Sequence, residues 1–399
     1  MPKRKTLSAA FFKKKLIQMT ANVKEVTLEH IREIQSQAKD GRQKRDLVDF
    51  TMQLQAKIFL NISLGKGLFK KKIPYERDDG TTEDLMIADH LNLLIEFGIN
   101  RYNKIPYLLL IPELFKQTWL HPADRRWRRN LEVYRACVKE IMQERRAEMK
   151  KGTQEDKCDF LSIILQEKEL YDNDEKIVDE IITFSFAGLK TIQVSTTNLI
   201  YHLTMKPELK QRLLAEVMPK LESVSHDFMN EFDHDMVDDF EYTKMCYNES
   251  LRLEPPVAMT GGQIMTRDVQ LGETLLKANE PFYVAVELIQ RDKRQFENPE
   301  EFIPDRFDPK SKYFRRPDGG VRHPLAFSPF LGGKRICLGK SLAELLTRFT
   351  VPLIFYHFDF EFTSPEQGQK KIRFAIGGSE SIVYDLWFVN KNEAKPVKT

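Results

Sequence analysis

The chain has 399 residues, which is long enough to bury a large core, and its 41% hydrophobic and 30% charged residues are ordinary for a soluble globular protein. A net charge of +3, with no basic stripe interleaved with aromatic residues, argues against nucleic-acid binding. Four cysteines, Cys137, Cys158, Cys246 and Cys337, are too few for a disulfide framework and fit a reducing compartment.

Membrane-spanning potential is low throughout the sequence. No stretch approaches the roughly 18 apolar residues that a spanning helix needs, and the basic residues at the start are not followed by the apolar block of a signal peptide. We therefore expect a soluble or peripheral protein. Residues 107–111 are apolar or aromatic, with Trp119 and Leu120 beyond them. This segment is interpreted as a packed helix end or, alternatively, as a contact with a membrane interface.

Helical periodicity dominates the first two thirds of the chain. Residues 5–65 and 86–150 carry apolar positions at three- and four-residue spacing, which predicts amphipathic helices. Pro207 is placed to open a further helix. Seven acidic residues crowd the segment 227–241, which also has His234 within it and His226 beside it. We interpret this segment as a solvated acidic loop, with a metal site as the alternative.

The pattern changes after residue 256. Residues 263–271 and 281–288 are predicted to form strands and hairpins, and the proline-rich stretch 292–333 is predicted to be loop. Residues 338–356 are predicted to be helical, and 370–389 to form a terminal hairpin. The predicted fold class is therefore mainly α with small β-sheets (α+β), in one domain over residues 1–399.

The most informative stretch is the segment 330–339, FLGGKRICLG. Gly333 and Gly339 allow the backbone to pass close to a flat cofactor, and a helix beginning just after Cys337 would stabilise a thiolate. Phe330 can shield the sulfur, and Arg335 can pair with a carboxylate of the cofactor. The segment resembles the cysteine-ligand loop of the cytochrome P450 family, Phe-x-x-Gly-x-Arg-x-Cys-x-Gly. That resemblance implies haem b, with Cys337 as the axial iron ligand and a haem propionate as the partner of Arg335.

Three charged residues strengthen the resemblance. Glu249 and Arg252 lie three residues apart on a predicted helix, so they can pair. Arg306 follows in the segment FIPDRF. In the cytochrome P450 family the matching residues form a buried network, and the resemblance implies that this network locks the haem-binding loop. Asp305 stands where the family usually has Glu.

A further helix resembles the family's oxygen-binding helix. Ala187, Gly188 and Thr191 share one face at helical spacing, and the resemblance implies that they leave room for dioxygen and supply a hydroxyl. Lys190 stands where the family has an acid that relays protons. We expect Lys190 to reach solvent along the helix. The alternative is a lysine that faces the pocket with a lowered pKa and replaces the acid.

The start of the chain resembles a segment that lies more than about a hundred residues into family members, and Arg4 matches a propionate contact. We therefore expect a cytochrome P450 fold truncated at its N-terminus. Thr260 falls near the position of another propionate Arg in many relatives.

The resemblance implies a haem-thiolate monooxygenase that inserts one oxygen atom from O2 into a small apolar substrate, with electrons from a reductase. Lys334, Arg335 and Lys340 suggest a basic docking face, and the full-length protein is expected on the cytosolic face of the endoplasmic reticulum membrane. The alternatives are a haem-thiolate peroxygenase, isomerase or dehydratase, motivated by Lys190, and a catalytically silent haem-binding protein. The substrate is not readable from the sequence.

Overall fold

The computed structural model describes residues 13–104, 122–151, 159–167, 173–223, 234–260, 262–364 and 385–391. The helices are α1 (Lys13–Ser36), α2 (Leu47–Leu64), α3 (Ile87–Lys104), α4 (Pro122–Lys151), α5 (Phe160–Gln166), α6 (Asp174–Met205), α7 (Pro207–Ser223), α8 (His234–Asp238), α9 (Glu241–Leu253), α10 (Val286–Ile289) and α11 (Lys340–His357). The strands are β1 (Arg42–Asp46), β2 (Lys72–Glu76), β3 (Thr82–Met86), β4 (Gln263–Ile264), β5 (Val269–Leu271), β6 (Thr274–Leu276), β7 (Pro281–Phe282), β8 (Phe358–Phe362) and β9 (Asp385–Asn390). The predicted α+β class is confirmed.

The long helix α6 runs through the middle of the packed helices. The side chain of Asn173 caps it by accepting a hydrogen bond from the Lys176 amide at 2.9 Å. Residues 192–204, in its second half, are all buried. Helix α2 lies along it, with Thr51 and Thr197 joined through their hydroxyls at 2.6 Å. A single cluster of buried apolar side chains includes residues from α1 to β9.

The main sheet joins parts of the chain that are far apart in sequence. Strand β9 lies between β1 and β8, antiparallel to both. The sequence predicted a hairpin over 370–389, but the described part of that range belongs to β9, and the partners of β9 are 42–46 and 358–362. Residues 42–46 have the sequence RQKRD, which lacks the alternation of apolar and polar residues that predicts a strand.

The smaller sheets are two-stranded: β2 pairs with β3, β5 with β6, and β4 with β7. The strand predicted over 281–288 is only partly right, because Val286 begins a short helix. The long loop 292–333 contains two single-turn 3₁₀ helices, Pro304–Phe307 and Lys312–Phe314. Among the described helices, none combines the length and the apolar character needed to cross a bilayer.

Candidate active site

Cys337 lies in an exposed loop immediately before α11. The loop turns twice through left-handed backbone, at Leu331 (φ 61°) and Gly333 (φ 65°). The Cys337 amide closes the loop by donating to the Phe330 carbonyl at 2.9 Å. Gly339 is the N-cap of α11, so the thiol lies within one turn of a helix N-terminus, where a thiolate is stabilised.

The other described cysteines lie in very different surroundings. Cys137 and Cys246 are buried, whereas Cys337 is exposed. Burial raises the pKa of the Cys137 thiol to about 11, and burial also raises the pKa of Cys246. Because the thiolate is the metal-binding form, neither buried thiol suits an iron ligand. Cys158 lies outside the described residues.

The space in front of the loop suits a large flat group. A Cβ added at Gly333 or Gly339 would meet nothing within 4 Å. Beside the loop lies a cavity of about 990 Å³ whose walls include Thr260, Leu331 and Arg335 and are mostly apolar. Arg335 therefore lies at the edge of a mostly apolar space beside the cysteine loop, where its guanidinium can pair with a carboxylate.

Glu249, Arg252 and Arg306 form a network in which all three side chains are 0% exposed. The Glu249 carboxylate accepts from Arg252 through Nε at 2.8 Å and Nη2 at 2.9 Å, and from Arg306 Nε at 3.0 Å. Its Oε1 also accepts from the Ile303 amide at 2.8 Å. Two guanidinium groups thus share one carboxylate in the interior.

Main-chain carbonyls satisfy the remaining guanidinium donors. Arg252 donates to the carbonyls of Gln290 at 2.9 Å and Pro299 at 2.8 Å, and Arg306 Nη2 donates to that of Asn298 at 2.6 Å. Each of these acceptors lies in the irregular chain that leads to Cys337. The network therefore holds the chain that precedes the thiol. Its charges are tolerated in the interior because each of them is paired.

Gln290, which no sequence pattern had singled out, links this network to the cysteine loop. Its side chain is 0% exposed. It donates to the carbonyls of Leu251 at 2.9 Å and Arg252 at 3.1 Å, and its oxygen accepts from the Ser328 amide at 3.0 Å. Ser328 in turn accepts from the Leu331 amide at 2.9 Å through its carbonyl. Nothing in the local sequence distinguishes this glutamine from others at the end of a short helix.

Arg322 was also missed. Its Nε donates to the Phe314 carbonyl at 2.8 Å, and its guanidinium lies 5.1 Å from the ring centroid of Phe296 and 5.6 Å from that of Phe307. Burial, with the nearby charge of Arg306, lowers the pKa of Arg322 to about 10. Arg322 thus anchors the turn-rich segment between the network and the loop.

Helix α6 presents an open face. Ala187 is exposed and Thr191 is partly exposed. The Thr191 hydroxyl donates to the Ala187 carbonyl at 2.9 Å and approaches the Gly188 carbonyl at 3.2 Å. The hydroxyl oxygen can therefore still accept a hydrogen bond from a donor on the open side.

The expected position of Gly188 on that open face needs correction. A Cβ added at Gly188 would lie 2.4 Å from Cε2 of Phe59, on α2. The glycine therefore allows α2 and α6 to pack closely. The sequence could not show this, because the contact depends on a helix more than a hundred residues earlier.

Lys190 also differs from expectation. It is 8% exposed, so the interpretation that its side chain reaches solvent is wrong. Burial lowers its pKa, while Glu96 on α3 and Asp46 at the start of α2 act in the opposite direction. Its charged neighbours thus belong to the helices that pack on α6 rather than to the Cys337 loop.

The remaining predicted residues have varied outcomes. Arg4, Trp119, His226 and residues 107–111 lie outside the described residues. Thr260 is 7% exposed, and its hydroxyl accepts from the Val284 amide at 3.0 Å. His234 begins α8, and no group of three metal-binding side chains occurs in the part of the chain that the structure describes.

Comparison with known proteins identifies the family. The family model described as Cytochrome P450 matches residues 2–379. The chain belongs to the cytochrome P450 family.

The sequence identity between this chain and individual relatives is low. Cytochrome P450 4d2 of Drosophila melanogaster is 25% identical over 91% of this chain and 71% of its own length. Cytochrome P450 4A24 of Sus scrofa is 29% identical over 63% of this chain and 49% of its own length. Cytochrome P450 4c21 of Blattella germanica is 30% identical over 66% of this chain and 52% of its own length. The chain thus spans about half the length of several of the curated relatives that it matches.

Membership of the cytochrome P450 family confirms the predicted family resemblance, and that family is known for haem b held by a cysteine thiolate. The residues present fit that group. An exposed cysteine precedes a helix N-terminus, two glycines leave the adjoining space open, and an arginine lies at the rim of an apolar cavity.

Proposed function

We propose that this chain is a haem-thiolate monooxygenase that inserts one oxygen atom from O2 into a small apolar organic substrate. The observation that carries the proposal is the Cys337 loop, held next to a helix N-terminus and braced through Gln290 by a buried charge network. Bound haem would supply oxygen activation, and electron donation from the Cys337 thiolate would promote that chemistry.

The residues of the chain would divide the remaining work. Cys337 would bind the iron, and Phe330, half-buried beside it, would limit access of water to the sulfur. Arg335 would pair with a haem propionate, as Arg4 would on the other side. Gly333 and Gly339 would allow the close approach of the ring. Ala187, on the open face of α6, would leave room for small ligands.

The Thr191 hydroxyl would move a proton on the open face of α6. It already donates to the Ala187 carbonyl, so its oxygen is free to accept from water on the open side. Lys190 would take no part in this transfer, because its described neighbours lie on the α2 and α3 side of the helix.

Electrons would come from a reductase that docks on basic residues near the thiol. Lys334 and Arg335 are exposed there, and Lys340 forms a long ion pair of 3.9 Å with Glu344. Such a face steers an acidic partner. We also propose that residues 1–399 form a single domain, which the shared apolar cluster supports. For the full-length protein we propose the cytosolic face of the endoplasmic reticulum membrane, with peripheral contact.

The ferrous carbonyl spectrum tests this assignment. The haem-loaded chain is expected to show the red-shifted Soret band of a thiolate ligand, and Cys337→Ser is expected to abolish it. Cys246→Ser is the matched control, because this cysteine is buried and its thiol pKa is raised. Retention of the band in Cys337→Ser, or its loss in the Cys246→Ser variant with haem still bound, would overturn the assignment.

Lys190 gives a reason to consider a second function, a haem-thiolate peroxygenase or isomerase. No acid occupies the position next to Thr191, and the lysine there is buried away from the open face. Product formed from hydroperoxide alone, with none from O2 and reductant, would select this candidate. Haem bound without turnover in either assay would indicate a silent haem-binding protein.

A further inference from the structure

Another cavity lies in the turn-rich segment that precedes the Cys337 loop, and its volume is about 270 Å³. We call it the aromatic pocket, because its walls include four phenylalanine rings, those of Phe296, Phe307, Phe314 and Phe327. Of its described lining residues, His323 and Ala326 also line the cavity beside Cys337, and none carries a carboxylate. Mostly apolar walls with a few polar groups are typical of a ligand-binding pocket.

The Arg322 guanidinium forms part of the wall, and the chain uses only some of its donors. Its Nε donates to the Phe314 carbonyl at 2.8 Å, and its Nη2 donates to the Arg306 carbonyl. Its Nη1 has no acceptor among the described residues and is open to solvent. No carboxylate oxygen lies within 4.0 Å of the guanidinium in that part of the chain. Arg322 can therefore offer two N–H donors and a positive charge to a ligand.

Positive charge exceeds negative charge around this wall. The buried carboxylate of Glu249 already accepts hydrogen bonds from Arg252 and Arg306. It is also the carboxylate that attracts Arg322, so three guanidinium groups share its one negative charge. Burial, with the charge of Arg306, lowers the pKa of Arg322 to about 10, which leaves the guanidinium charged at neutral pH. An anion bound at Arg322 would offset this excess of positive charge.

The phenylalanine rings favour a flat ligand. The Arg322 guanidinium carbon lies 5.1–5.6 Å from the ring centroids of three of them, Phe296, Phe307 and Phe314. An aromatic acid matches this arrangement, because its ring can pack on the phenyl groups while its carboxylate accepts charge-assisted hydrogen bonds from the guanidinium. The volume suits a small ligand, since pockets for drug-sized molecules are about 300–1,000 Å³.

We propose that the aromatic pocket binds a small aromatic carboxylate, whose ring packs against the phenylalanines and whose carboxylate accepts from Nη1 of Arg322. Arg315 lines the rim, is exposed and forms no ion pair with the described residues, so it supplies a second cation. An inorganic anion fits less well, because it leaves the apolar walls uncovered. The pocket has its own walls and charge, so the proposal does not rest on the proposed monooxygenase reaction.

Calorimetric titration of the haem-loaded full chain with 1-naphthoate, at low ionic strength and neutral pH, tests the proposal. We expect a saturable site for one naphthoate per chain. The neutral analogue 1-naphthamide has nearly the same shape and should bind at least about tenfold more weakly. The Soret band, recorded through the same titration, should stay unchanged, because the ligand binds away from the iron.

A substitution at the rim separates this site from others without disturbing the core. Val321 lines the pocket and is 77% exposed, so Val321→Asp should fold as the parent does. Its carboxylate would repel the ligand and weaken naphthoate binding by at least about tenfold. The matched control is Leu271→Asp, which introduces the same charge at a 65% exposed side chain on β5 and should bind as the parent does. Arg315→Met should weaken binding by about threefold.

Each other outcome counts against the site. Equal affinity in Val321→Asp and Leu271→Asp would show that naphthoate does not occupy the aromatic pocket. Equal affinity for the amide would show that the guanidinium does not select a carboxylate. A shift of the Soret band that follows the binding curve would assign the ligand to the haem cavity. If naphthoate does not bind but a peptide with a carboxy-terminal phenylalanine does, the pocket is a docking point for a protein chain end instead.

Discussion

The two sides of the candidate haem site relate to the sequence in different ways. On the cysteine side, Glu249, Arg252, Arg306 and the Cys337 loop match the family pattern position by position, and the structure joins the three charged residues. On the α6 side, the pattern is broken at Lys190. There the structure assigns Gly188 to helix packing and buries the lysine. The difference indicates that the first side is built for rigidity, and that the second side holds what is particular to this chain.

The largest expected effect concerns the buried network. Glu249→Ala leaves Arg252 and Arg306 buried without their shared carboxylate, so the free energy of unfolding should fall by about 3–5 kcal/mol. Chemical denaturation monitored by circular dichroism measures this loss. The matched control is Asp305→Asn, which breaks the exposed ion pair with Arg212 at 2.9 Å and should cost at most about 1 kcal/mol. Equal losses in the two variants would show that the network is not what makes the cysteine side rigid.

The second effect tests the packing role of Gly188. Gly188→Ala places a methyl group against the Phe59 ring, whose centroid already lies 4.6 Å from that of the tilted Phe184 ring. Overpacking of this kind should cost about 1–3 kcal/mol. In the control Gly98→Ala, the new methyl meets Phe186 at 3.9 Å, an ordinary contact, so helix propensity should make that variant neutral or more stable by up to about 1 kcal/mol. A stable Gly188→Ala would return this glycine to the open face.

How well the sequence predicted each feature depends on how far apart in the sequence the interacting residues lie. The Cys337 loop is a local pattern that could be recognised by its resemblance to the family's motif. The spacing of Glu249 and Arg252 only allows them to pair, and their network with Arg306 was implied by the same resemblance. The β1–β9 pairing, the contact of Gly188 with Phe59 and the burial of Lys190 depend on residues far away in sequence. Residues 42–46, in particular, are charged on both faces and carry no strand signal.

Gln290 provides a smaller test within the rigid side. Gln290→Leu keeps the volume but leaves the Ser328 amide and two carbonyls of α9 without partners, at a cost of about 1–3 kcal/mol. Amide hydrogen exchange should show faster exchange at Ser328, while α11 stays protected. Gln295→Leu is the control: its side chain is only partly buried and accepts from the His323 amide at 2.9 Å, so its effect should stay within about 0.5 kcal/mol. Unchanged exchange at Ser328 would contradict a positioning role for Gln290.

The smallest expected effect concerns Lys190, where the two sides differ most. Burial lowers its pKa from 10.5, so below that pH the folded chain binds fewer protons at this side chain than the unfolded chain does. The stability of the parent should therefore rise relative to Lys190→Met as the pH increases from neutral towards 10.5. Near neutral pH, Lys190→Met should be more stable than the parent by about 1 kcal/mol or more, because an apolar residue of similar length replaces a buried charge.

The same variant also decides whether Lys190 takes part in proton delivery. Its charged neighbours lie on α2 and α3, so product formed per reductant consumed should change little in Lys190→Met. Thr191→Ala removes the hydroxyl on the open face and should lower that yield. Lys190→Asp serves as the charge-reversal control, because it would join Asp46 and Glu96 in the same region and should be less stable than the parent. If Lys190→Met reduced coupling as strongly as Thr191→Ala, the lysine would be a catalytic residue, and the α6 side would use it in place of the family's acid.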